Sequence, residues 1–115
     1  MVRRARAVTL DGSVAMRYPL EAMIKSFKCR ETEALFARTR TRRFGPDLQR
    51  SARRKLMMLD AAVSLDDLRQ PPGNRLEELK GNRRGQWSIR VNDQWRLCFR
   101  WVNGVVLDVE MVDYH

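Results

Sequence analysis

The spacing of apolar residues along this chain shifts from a helical to a strand period, and the shift divides it. From Pro46 to Val63 the positions Leu48, Ala52, Leu56, Leu59 and Val63 step by 4, 4, 3 and 4, which places them on one helix face while Arg50, Arg53, Arg54 and Lys55 fall largely on the others. Gly45-Pro46 suits the start of this helix, because proline in the first turn has no intrahelical donor to lose. Ser64 and Asp67 have capping-box spacing for a further short turn at LDDLR, and QPPG at 70–73 ends it. Upstream, RETEALFART (30–39) has the Glu, Ala and Leu content of a helix, and MIKSFKC (23–29) reads as a short strand without clean alternation. Residues 1–22 carry no sustained period and run up to a second methionine, Met23, so they are expected to form an extension outside a core domain of residues 23–115.

Beyond Gly73 the composition turns to β. Trp87, Ile89 and Val91 alternate, as do Trp95, Leu97, Phe99 and Trp101, so each strand is expected to bury one face and show the other. A three-residue loop, Asn92 to Gln94, sets Val91 opposite Trp95, Ile89 opposite Leu97 and Trp87 opposite Phe99; a two-residue turn would set Ile89 against Arg96. The same test at Asn103-Gly104 favours a loop through Val105, which matches Trp101 with Leu107, Phe99 with Val109 and Leu97 with Met111, and brings Arg100 to Asp108. On the other face this register puts Arg90 beside Arg96, with Tyr114 emerging on the same side. Like charges directly opposite are unfavourable unless an anion or an acid lies between them, so the two arginines either splay into water or pair with Glu110, or the face is built to bind phosphate. The three tryptophans share the buried parity and are read as core.

Charge sharpens this picture. The 115 residues hold 23 Lys and Arg against 14 Asp and Glu, a net +9, and 43% are hydrophobic, which describes one folded domain whose partner is an anion, most often nucleic acid. The first 22 residues contain four arginines and two acids, so the remaining 93 keep +7 and the basic character belongs to the core. No run approaches the ~20 apolar residues of a membrane span, and no signal-peptide pattern opens the chain, so a cytoplasmic protein with no membrane partner is expected. Cys29 and Cys98 cannot make a disulfide framework, and with one histidine they offer too few ligands for a zinc site; no metal or cofactor is expected, and both are read as free thiols.

The run NRLEELKGNRRGQWSIRVNDQWRLCFRW, the Asn-Gly turn after it and the terminal VDYH resemble the HigB branch of the RelE-like toxins of bacterial toxin–antitoxin modules, over roughly Met23 to His115. The resemblance implies an α+β fold, a curved, mainly antiparallel sheet with two N-terminal helices packed on one face. It implies a toxin that enters the ribosomal A site and cuts translated mRNA, held inactive by a HigA-type helix-turn-helix antitoxin and reaching operator DNA only through that antitoxin. It places functional weight on Lys80 after the first sheet hairpin, on Arg96, and on His115 with Tyr114 and Asp113 beside it. One position departs from the family: Glu77 stands three residues before Lys80 where relatives have a histidine, so either a carboxylate replaces that group or the position is dispensable here.

RNA carries its own nucleophile, so a ribonuclease of this kind need only deprotonate the 2′-hydroxyl, neutralise the phosphorane and protonate the leaving oxygen. Arg96 and Lys80 would hold non-bridging oxygens, His115 would transfer a proton, and Tyr114 would stack on a base or donate a hydrogen bond. Because Arg96 points away from the apolar face, its removal is expected to leave the fold intact. Arg50, Arg53, Arg54 and Lys55, with Arg90 on the sheet, are either a solvated face or contacts to RNA phosphates. A second function class is a basic RNA-binding growth inhibitor that disturbs ribosome assembly or translation with little cleavage. A DNA-binding repressor is disfavoured, since no helix-turn-helix pair is evident.

Overall fold

The computed structural model describes residues 23–114. Helices α1 (Arg30–Phe36), α2 (Pro46–Ala61) and α3 (Leu65–Arg69) precede strands β1 (Glu77–Glu78), β2 (Trp87–Arg90), β3 (Trp95–Val102) and β4 (Val105–Asp113). The strands form one open antiparallel sheet in the order β1-β2-β3-β4, so the architecture is α+β. No helix among the described residues is long and apolar enough to cross a membrane.

The α2 stripe does what its spacing requires: Ala52, Leu56 and Leu59 are fully buried against Ile89, Leu97 and Phe99, with Leu35 of α1 in the same cluster. Its last member does not. The chain leaves helical geometry at Ala62 (φ −70°, ψ 136°), which turns Ala62 into the core and leaves Val63 outside, where its N–H donates to Asp67 in the capping box of α3. Helix α1 is shorter than its composition suggests. Arg38 adopts φ +62°, its N–H donates to the Leu35 carbonyl and that of Thr39 to the Ala34 carbonyl, a left-handed stop with an arginine where glycine is usual.

Segment 23–29 is not a regular strand of the sheet. It lies parallel to β4 through bridges at Ile24–Val106 and Phe27–Val109, and its start is held by Asp60 of α2, whose Oδ1 accepts from the N–H of Met23 (2.9 Å) and of Ile24 (3.0 Å). Further along, buried Thr32 accepts the N–H of Met111 at 3.0 Å. Segment 23–29 and Thr32 together occupy the outer edge of β4, whose donors and acceptors would otherwise invite another chain.

The β2–β3 register is the expected one, with Ile89 opposite Leu97 and Arg90 opposite Arg96. The β3–β4 register corrects the expectation. Asn103 (φ +49°) and Gly104 (φ +82°) form a two-residue turn with Val102 opposite Val105 and Trp101 opposite Val106 rather than Leu107. A bulge beside Asp108 (φ +54°) then absorbs one residue, so Leu97 still meets Met111 and Cys98 meets Glu110. No single offset describes this hairpin, because its register changes midway. The ion pair survives, Arg100 Nε to Asp108 Oδ2 at 3.3 Å, and Ser26 Oγ accepts the bulged N–H of Asp108 at 2.9 Å. The tryptophans pack against the core, Trp95 edge-on to Phe44 at 5.4 Å, and the two cysteines are free thiols. The second face of the sheet is less open than alternation implies, because Ser88 and Cys98 on that face are completely buried.

Replacing Asp60 with alanine removes the acceptor for two backbone donors. The expected loss is about 1–3 kcal/mol, read by urea denaturation, with faster hydrogen exchange at the Met23 and Ile24 amides; unchanged exchange there would show that β4 alone holds the segment.

Candidate active site

Strand parity directs Ser88, Arg90, Arg96 and Cys98 to the face away from the helices, and Arg96 organises them. Its Nε donates to Ser88 Oγ at 2.7 Å, and its Nη2 donates to the Arg75 carbonyl at 2.6 Å and the Ser88 carbonyl at 3.3 Å. Glu77 Oε1 lies 3.8 Å away and the Tyr114 ring centroid 5.8 Å away. The side chain is only 12% exposed. Nη1 meets no acceptor among the described residues. The Arg90–Arg96 repulsion inferred from parity is relieved in two ways: Arg96 binds inward, and Arg90 pairs with exposed Asp93 in the β2–β3 loop.

Around these groups lies a cleft of about 300 Å³ lined by Arg75, Arg90, Asn92, Asp93, Arg96 and Tyr114. Three guanidinium-bearing residues face one carboxylate, so the lining carries a net positive charge. Tyr114 is held by its N–H, which donates to the Gln94 carbonyl at 2.7 Å, and its hydroxyl contacts Cys98 Sγ at 3.8 Å. Burial, then the adjacent thiol, pushes the Tyr114 phenol above its ordinary range, and burial raises the Cys98 thiol as well. At neutral pH the phenol is therefore a hydrogen-bond donor and not a base.

The other expected site residues divide. Glu77 pairs with Ser88 across β1 and β2 and reaches Arg96. Lys80 is exposed and sits inside the β1–β2 connection rather than after the first hairpin, because the strand preceding it is the two-residue β1. His115 lies outside the described residues, as does the expected extension of residues 1–22. On α2, Arg50 is exposed and pairs with Asp47, and Arg54 is exposed. Arg53 and Lys55 are struts: Arg53 Nε donates to the Leu35 carbonyl at 3.1 Å and Lys55 Nζ to Asn74 Oδ1 at 2.6 Å. Burial, then Arg54 and Arg90, holds the Lys55 ammonium below its ordinary range. The sequence reading missed Arg75, whose only signal was its place two residues after QPPG.

The clamp argues against the expectation that removing Arg96 leaves the fold intact. Arg96→Lys keeps the charge but cannot fork between Ser88 and Arg75. It is expected to lower unfolding free energy by about 1–3 kcal/mol, measured by urea denaturation, and a variant as stable as the parent would show that the fork does not support the fold.

Comparison with known proteins gives these residues a lineage. A family model described as the RelE-like toxin HigB of type II toxin–antitoxin systems matches residues 25–115. The chain is 46% identical to Toxin HigB-1 of Vibrio cholerae over 87 residues, covering 75% of this chain and 92% of that protein. It is 33% identical to Endoribonuclease HigB of Proteus vulgaris over 93 residues, covering 81% of this chain and all of that one. The match runs through the strands that build the cleft and through the hairpin before them, and on it the chain belongs to the HigB-like family of RelE-like toxins of type II toxin–antitoxin systems.

Proposed function

We propose that this chain is an endoribonuclease that cuts mRNA on the ribosome by attack of the RNA's own 2′-hydroxyl, and that the basic cleft is where the scissile phosphate binds. The observation that carries the reading is the convergence of Arg75, Arg90 and Arg96 on a cleft with a tyrosine at its rim, against a single carboxylate from Asp93. A phosphodiester supplies the anion this lining lacks, and guanidinium groups match its paired oxygens. Arg96 is fixed by the sheet before substrate arrives, so its unpaired Nη1 end costs little reorganisation when charge develops on the phosphorane.

In this mechanism Arg96 and Lys80 stabilise the non-bridging oxygens, and Arg90 leaves Asp93 to join them. Tyr114, neutral and held beside Arg96, donates a hydrogen bond or stacks on a base. His115, which follows Tyr114 in the chain, transfers protons, with Glu77 as the alternative acceptor. Exposed Arg50 and Arg54 contact RNA phosphates, while Arg53 and Lys55 serve mainly to brace α2. The reading includes the family's architecture, a curved sheet with α1 and α2 on one face, supported by the joint core of Leu35, Leu56, Leu59 and the β2–β3 side chains. It includes residues 1–22 as an extension outside the core domain, supported by their lack of periodicity. The family implies an antitoxin; a HigA-type helix-turn-helix protein that carries the complex to operator DNA in the cytoplasm completes the proposal.

A non-cleaving RNA-binding inhibitor is the second reading, favoured by one feature: Glu77 lies 3.8 Å from Arg96 and competes with phosphate for it. Primer extension on a translated message separates the two, with discrete cuts expected from the parent protein. Product ends should be 2′,3′-cyclic phosphates, since a 3′-hydroxyl product is incompatible with attack by the 2′-hydroxyl. Deleting His115 should slow single-turnover cleavage by about 10²–10⁴-fold if it moves a proton. Arg90→Ala should weaken cleavage at unchanged thermal stability, because its ion pair with Asp93 is exposed and contributes little to folding.

A further inference from the structure

Arg75 is the one cleft arginine with no acid beside it. Arg90 has Asp93 and Arg96 has Glu77, but the Arg75 side chain has no partner among the described residues and is exposed in the cleft. Its backbone is held in a costly state. Arg75 adopts φ +46°, ψ +56°, the left-handed region that a side chain bearing a Cβ enters at a penalty. Three neighbours hold it there. Its N–H donates to the Pro72 carbonyl at 3.3 Å, its carbonyl accepts Arg96 Nη2 at 2.6 Å, and the preceding Asn74 is completely buried. Asn74 is fixed in turn, accepting Lys55 Nζ at 2.6 Å and donating to the Leu68 carbonyl at 3.0 Å. A glycine would satisfy the backbone more cheaply, so the arginine side chain is the part of this residue that folding does not explain.

We propose that Arg75 binds the RNA phosphate next to the scissile one, and that its left-handed backbone, tied to Arg96 through one carbonyl, sets the spacing between the two phosphate-binding guanidinium groups. This deepens the endoribonuclease reading and rests on it. The cleft, at about 300 Å³, is larger than a lone phosphate fills, and Arg75 lines it together with Arg90 and Arg96, so its guanidinium is available to a second backbone anion of the same strand. Because that phosphate does not react, Arg75 contributes equally to ground and transition states. It then acts on affinity and not on the chemical step.

Arg75→Gly tests this without harming the fold, since glycine suits the backbone and leaves the carbonyl that Arg96 binds. In single-turnover cleavage on ribosomes programmed with a short synthetic message, the variant should melt at or above the parent's temperature. The toxin concentration for half-maximal rate should rise about tenfold or more, with the maximal rate within about twofold. The same message carrying one uncharged methylphosphonate linkage, placed on either side of the cleavage position, supplies the decisive comparison. At one of the two placements the parent should lose the same tenfold, and Arg75→Gly should lose nothing further. Equal losses for parent and variant at both placements, or a variant with unaltered half-maximal concentration, overturn the assignment of Arg75 while leaving the cleft reading intact. A parent protein that makes no cut, or cuts equally well with Arg90 and Arg96 both replaced by glutamine, overturns the cleft reading and this inference with it.

Discussion

The forked donation of Arg96 is the constraint on which this face of the molecule depends. One guanidinium spans from β3 to Ser88 on β2 and on to the carbonyl of Arg75, which lies on the segment entering the sheet. Without it, the Arg75 carbonyl would lose its partner and the left-handed turn at Arg75 would lose one of its restraints. The arrangement makes a cation structural at one end and available at the other. Nε and Nη2 are committed to the fold, and Nη1 faces no protein acceptor among the described residues. A group immobilised in this way is ready for an anion before the anion arrives, which is what electrostatic stabilisation of a transition state requires.

A second constraint acts on the opposite side of the sheet. The hairpin between β3 and β4 must satisfy its Asn-Gly turn and also match Leu97 to Met111, and these demands differ by one residue. The bulge at Asp108 reconciles them, and each consequence is used. Its displaced N–H is taken by Ser26, its carboxylate meets Arg100, and the local irregularity lets segment 23–29 bridge β4 at two separated points. The edge of β4 is thereby closed by the chain's own N-terminal side and by Thr32 of α1.

Charge is distributed so that the basic residues do not simply repel. Arg53 and Lys55 bond to carbonyl and amide oxygens inside the molecule, Arg83 spans Gln86 and Glu110, and Arg100 meets Asp108. These pairs leave the excess at the cleft and on the exposed side of α2. The net +9 of the chain is therefore a poor guide to where an anion binds; the guide is where several guanidinium groups converge on a cleft with fewer carboxylates than cations.

Periodicity in the sequence determined the long helix, the β2–β3 register and the face on which Arg90 and Arg96 stand, because burial of one face fixes parity whenever side chains repeat every two or 3.6 residues. The motifs carried the family resemblance. What they could not carry were features that cost local energy and are held from a distance. The helix stop at Arg38, the turn at Arg75 and the bulge at Asp108 all place a residue with a Cβ at positive φ, against local preference, so no propensity reveals them. Arg96 illustrates the same limit. Its parity was legible in a single strand, but whether it pointed into water or clamped Ser88 and Arg75 depended on a carbonyl 21 residues away in the chain. Only the tertiary structure brings that carbonyl within reach, and with it the cleft in which Arg75 stands.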